Sequence, residues 1–104
     1  MEITLTPQCR DDMLDIHRTG DVLTINGVAY DFSKLPDGAT MPRDEAGCEW
    51  IASDVERVGG VLHMTLILPH GGDAPHQTRF PVPITVSQDG HVTLPPYDND
   101  PLMD

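Results

Sequence analysis

Four short turn signals punctuate this chain: Thr19-Gly20, Asn26-Gly27, Gly59-Gly60 and Gln88-Asp89-Gly90. They fall where stretches of alternating apolar and polar residues need to reverse, and Gly or Asn-Gly supplies the positive φ of a tight hairpin. Pairing residues across each turn tests the reading, because strand side chains alternate between faces with a period of two. With Thr19-Gly20 as a loop, Arg18 faces Asp21, His17 faces Val22, Ile16 faces Leu23 and Leu14 faces Ile25. With Asn26-Gly27 as the next loop, Ile25 faces Val28 and Leu23 faces Tyr30. Leu14, Ile16, Leu23, Ile25, Val28, Tyr30 and Phe32 then share the buried face of a three-stranded meander, with Asp15, Thr24, Ala29 and Asp31 on the other.

Gly59-Gly60 joins a run from Trp50 to Val58 to the apolar run Val61 to Leu68, setting Val58 against Val61, Val55 against Met64 and Ile51 against Leu68. Ile51, Val55, Leu62, Met64, Leu66 and Leu68 form its core face. Val58, Val61 and Ile67 on the opposite face predict partial cover there too, by the Pro-rich segment or by a partner. At Gln88-Asp89-Gly90 a three-residue loop keeps the faces consistent, pairing Val86 with Val92, Thr85 with Thr93 and Ile84 with Leu94. Ile3-Thr4-Leu5 predicts a short opening strand. No stretch carries helical periodicity, and ten prolines break most windows where a helix would start, leaving room for one turn between Arg43 and Trp50. The fold class is all-β: antiparallel hairpin and meander strands in a small sandwich or partly open barrel. Residues 1–96 form a single domain, and 97–104 read as a flexible acidic C-terminal tail.

Charge narrows the partners. With 17 acidic against 6 basic residues the net charge is −11, which disfavours nucleic acid and anionic membrane surfaces. No apolar run approaches a membrane span and no basic-then-apolar leader opens the chain, so a cytoplasmic location is expected, with Cys9 and Cys48 as reduced thiols.

Two connections are long enough to bind something, 33–48 and 69–83. Leu35, Met41 and Phe80 are expected to anchor them in the core. His70, Asp73 and His76 on the second loop resemble the ligand types of a zinc site, which gives one alternative function, a small-ligand or metal-binding β domain. No nucleophile elbow, phosphate loop or paired-carboxylate spacing is present, so no catalytic residue or cofactor is assigned; an enzyme would need a deep pocket in which His17, His63 or His91 approaches a carboxylate. Tyr97, in Leu94-Pro95-Pro96-Tyr97-Asp98, reads as the anchor of a docking tail.

The strings Asp31-Phe32-Ser33-Lys34-Leu35-Pro36-Asp37-Gly38-Ala39-Thr40-Met41-Pro42, Glu49-Trp50-Ile51-Ala52, Leu66-Ile67-Leu68-Pro69-His70-Gly71 and Leu94-Pro95-Pro96-Tyr97-Asp98 together resemble a family of small uncharacterised proteins of tailed phages and prophages of Gram-negative bacteria, often encoded among tail genes. The resemblance covers nearly the whole chain. It implies a tail-accessory or virion-assembly context, in the bacterial host cytoplasm or on the virion, and brings no catalytic or binding residue with it. The expected function is non-enzymatic: contact with a phage structural or assembly protein in tail or tail-fibre assembly. The expected contact residues are Val58, Val61, Ile67 and Tyr97, with self-association through the same face as the other outcome.

Overall fold

The computed structural model describes residues 1–97; residues 98–104, which hold most of the expected tail, lie outside the described residues. The described chain is a β-sandwich of two sheets that do not close into a barrel. Its strands are β1 (Glu2–Cys9), β2 (Ile16–Thr19), β3 (Val22–Ile25), β4 (Val28–Asp31), β5 (Thr40–Met41), β6 (Val55–Val58), β7 (Val61–His70), β8 (Ile84–Thr85) and β9 (Gly90–His91). One sheet has the order β5-β6-β7-β1-β8 and the other β4-β3-β2-β9. Two single helical turns, α1 (Arg43–Ala46) and α2 (His76–Arg79), sit in the long connections. The first is the turn expected before Trp50; the second falls in a stretch read as irregular.

The core lies between the sheets. Ile3, Leu5, Leu62, Met64, Leu66 and Leu68 from one sheet meet Ile16, Leu23 and Ile25 from the other, with Phe32, Trp50 and Ile51 closing the edges. This is the period-two apolar set of the sequence, turned inward because burial of each such side chain is worth about 1.5–3 kcal/mol. Leu35 joins it and Met41 packs partly against it, but Phe80 is 66% exposed and stacks on His76 instead.

Two turns fall as expected. Asn26 and Gly27 both have positive φ (49° and 84°), as do Gly59 and Gly60 (58° and 80°), and Ile25 pairs with Val28 and Val58 with Val61. The first turn moves by one residue: Thr19 pairs with Val22 and Ile16 with Ile25, so the loop is Gly20-Asp21 with positive φ on Gly20. Moving the loop by one residue shifts each partner by two, which keeps the faces and therefore the core. Asp21 is consequently free of Arg18 and takes Arg57 as its ion-pair partner at 3.1 Å.

Three expectations are overturned. The run from Trp50 to Val58 is not one strand, because Ser53 and Asp54 loop out and Ile51 bridges Leu66 rather than Leu68. The Ser53 hydroxyl accepts the Thr65 N–H at 2.9 Å, and Asp54 accepts the Arg43 N–H at 2.9 Å, so both polar residues are used where they bulge. The hairpin at Gln88-Asp89-Gly90 does not form. β8 pairs with β1 and β9 with β2, so the chain changes sheets there, carrying Val86 and Val92 into the core from both sides of the corner. The short opening strand is instead eight residues long and runs parallel to β7, from Glu2 opposite His63 to Cys9 opposite His70.

Candidate functional site

Ile67 does not belong to an open face. It is 9% exposed and belongs to the buried core cluster; α2 packs against β7, and Ala74 and Thr78 of the connection that carries it are buried. Tyr97 is equally committed. Its hydroxyl donates to the Arg10 carbonyl and its own carbonyl accepts the Gly71 N–H at 2.9 Å, so it pins the chain to the ends of β1 and β7 rather than anchoring a docking tail.

Val58 and Val61 do face solvent, at 55% and 37% exposure, side by side at the tip of the β6-β7 hairpin. Two residues along the strands, on the same outer face, Glu56 stands opposite His63 and His63 opposite Glu2, with Thr40 and Thr85 completing the row across the sheet. Glu2 accepts a hydrogen bond from the Thr85 hydroxyl at 2.7 Å. A shallow cleft of about 470 Å³ runs over this surface, lined by Val58, Glu56, His63, Glu2, Thr4 and Asp54 among others. It sets Val58, whose exposed neighbour Val61 lies just outside it, beside the three carboxylates of Glu2, Asp54 and Glu56.

The two long connections are tied down. Asp37 accepts the Gly60 N–H at 3.0 Å, Gly38 donates to the Arg57 carbonyl at 2.7 Å and Arg57 donates to Ala39 at 3.1 Å, which fastens the first to the β6-β7 hairpin. On the second, Thr78 donates to the Pro96 carbonyl. His70, Asp73 and His76 do not converge: His70 Nδ1 lies 2.8 Å from the Gly71 carbonyl and His76 stacks on Phe80.

Among the described residues one group of three potential metal ligands does come together, and it is a different one: Asp15, His17 and His91, whose ligating atoms all lie within 4.8 Å of one another. Asp15, immediately before β2, and His17 within it are two apart along an extended stretch and so share a face. His91 stands directly opposite His17 across the β2-β9 pair. Each Asp15 oxygen takes one imidazole, Oδ2 with His17 Nε2 and Oδ1 with His91 Nε2, both at 3.1 Å, and the rings meet edge to face with centroids 5.0 Å apart. All three residues are exposed. Asp15-x-His17 was visible in the sequence as a same-face pair, but His91 depends on the sheet change at Gly90, which hairpin logic does not reach.

Elsewhere the ionised groups are structural. Arg10 grips both oxygens of Asp12 at 2.8 Å and lies 4.5 Å over the Trp50 ring; its hydrogen bonds hold the Asp12 carboxyl below its ordinary value. The Ser33 N–H at 2.8 Å does the same for Asp31. Cys9 is an exposed free thiol and Cys48 a buried one; the neighbouring Cys48 side chain, followed by burial, holds the Tyr30 hydroxyl above its ordinary value. No helix of the described residues is long and apolar enough to cross a membrane. Comparison with protein-family models, curated proteins and solved structures found no match to the chain.

Proposed function

We propose that this chain is a non-enzymatic accessory protein of a tailed phage or prophage, acting by protein-protein contact through the outer face of its five-stranded sheet. The observation that carries the contact surface is the exposed Val58-Val61 pair next to the Glu56-His63-Glu2 row. Because both long connections are stitched to the body and Ile67 and Tyr97 are engaged internally, this face is favoured over the loops and the chain end as the docking element. The chemistry asks for a partner that places an apolar strip on the valines and Lys or Arg over the carboxylates, and the net charge of −11 steers such a basic partner. The phage context rests on the sequence resemblance, which supports a tail or tail-fibre structural protein as that partner.

The test is capture with the full chain as bait from lysate of a prophage-induced host. A tail or fibre protein should be retained, less so at raised ionic strength, and lost when Val58 and Val61 are both changed to glutamate while the variant melts as the parent does. Retention that ignores both changes refutes this face as the contact. Recovery of no virion protein refutes the assembly role.

A further inference from the structure

We propose that Asp15, His17 and His91 form a binding site for a divalent transition-metal ion of the zinc type, with Nε2 of each imidazole and one Asp15 oxygen as ligands. The inference is independent of the protein-contact reading, since the site lies on the other sheet. Zinc takes N and O ligands at about 2.0–2.2 Å in tetrahedral array, which places neighbouring ligand atoms about 3.3 Å apart. Each Asp15 oxygen already stands 3.1 Å from one Nε2, Oδ2 from His17 and Oδ1 from His91, and one ligand atom from each of the three residues lies within 4.8 Å of the others, so side-chain rotations of exposed residues bring both imidazoles and a single oxygen around one ion.

The main chain holds these residues in place before any ion arrives. Asn26, the left-handed residue of its turn, clamps Asp15 from both sides, its side-chain oxygen accepting the Asp15 N–H at 2.7 Å and its own N–H donating to the Asp15 carbonyl at 2.8 Å. Val92 donates to the Ile16 carbonyl at 2.9 Å, which locks β9 beside β2 and hence His91 beside His17. Only side-chain rotamers are left to order on binding.

Ligand type selects the ion. Two imidazoles and a carboxylate suit zinc, copper or nickel, whereas calcium and magnesium prefer all-oxygen sets. In the arrangement seen, an ionised carboxylate can only accept, so each Nε2 carries the proton it shares with Asp15. On metal binding each Nε2 bonds the ion through its lone pair, and the proton resides on Nδ1 instead. Three protein ligands leave a fourth position open to water.

The experiment is a calorimetric titration of the chelator-treated full chain with zinc chloride, repeated for Asp15→Asn, His17→Ala, His91→Ala and, as a control, His76→Ala. One ion per chain is expected, with affinity reduced at least about tenfold in each of the first three variants and unchanged in the control. Nitrogen-15 NMR of the imidazoles should show the Nε2 signals of His17 and His91, and of no other histidine, moving to metal-bound positions. Absence of zinc binding, or binding that survives His17→Ala and His91→Ala, overturns the proposal. A melting temperature of the metal-free variants equal to that of the parent establishes that the loss is one of ligands, not of fold.

Discussion

Arg57→Ala is expected to destabilise the fold by about 2–4 kcal/mol, because a single guanidinium ties the two sheets together. Arg57 is on β6, and its side chain is only 12% exposed. Its Nε donates to the Leu35 carbonyl at 2.7 Å, and its Nη2 donates to the Phe32 carbonyl at 3.0 Å and to Asp21 Oδ2 at 3.1 Å. Leu35 and Phe32 belong to the link between sheets, and Asp21 to the β2-β3 turn of the opposite one. Alanine removes the donor from two part-buried carbonyl bonds at once and leaves the 38% exposed Asp21 carboxylate to water. The melting temperature should fall by about 8–30 °C, at about 4–8 °C per kcal/mol for a domain near this size. Arg57→Lys should recover less than half of the loss, since one ammonium cannot reproduce a planar fork aimed at three acceptors. A thermal melt of the three proteins decides it, and equal stability of parent and alanine variant would show that the contacts do not hold the sheets together.

What the sequence made legible was everything governed by a local rule. Asn26-Gly27 and Gly59-Gly60 carry their turn type in their composition, and the alternation around them placed Ile16, Leu23, Ile25, Leu62, Met64 and Leu66 in the core correctly even where the first loop was one residue off. Val28 shows the limit of alternation, since at 53% exposure it lies on the apolar face of β4 but beyond the cover of the facing sheet. Non-local pairing was not legible. The β1-β7 ladder joins residues some sixty positions apart in parallel, with no turn between them to announce it. The corner between β8 and β9 looks like a hairpin by every local criterion, including positive φ at Gly90 (115°), and is decided instead by which free sheet edge each segment meets.

The candidate site follows the same division. Val58 and Val61 pair across their turn as the sequence indicates, and both are exposed, although the alternation there predicted partial cover. Ile67, on the same alternating face as Val61, is buried, and alternation within β7 alone does not distinguish the two. The histidines near each other in sequence, His70 and His76, do not meet, whereas His17 and His91, 74 positions apart, do. Proximity along a loop is a poor guide to ligand geometry when neighbouring strands can place side chains about 5 Å apart.

Ile3→Ala and Thr4→Ala, adjacent changes on β1, are expected to differ by about 1–5 kcal/mol. Ile3 is fully buried, in register with Met64 on β7 and Ile84 on β8, while Thr4 faces solvent opposite Thr65. Truncating Ile3 removes three carbons from the centre of the core and leaves a cavity, at a cost of about 2–5 kcal/mol. Thr4→Ala removes only exposed atoms and some strand preference, at below about 1 kcal/mol. Because a slip of one residue exchanges the two faces, the contrast reads which face of β1 is buried and so excludes a one-residue slip of the parallel pair. It also bears on why β1 tolerates a proline. Pro7 lies opposite Leu68, beyond the two-residue β8, so the side of β1 facing away from β7 is an edge at that point and loses no ladder bond. Urea denaturation of the two variants supplies the numbers; comparable losses at Ile3 and Thr4, or a larger one at Thr4, would mean that β1 is not seated in this register.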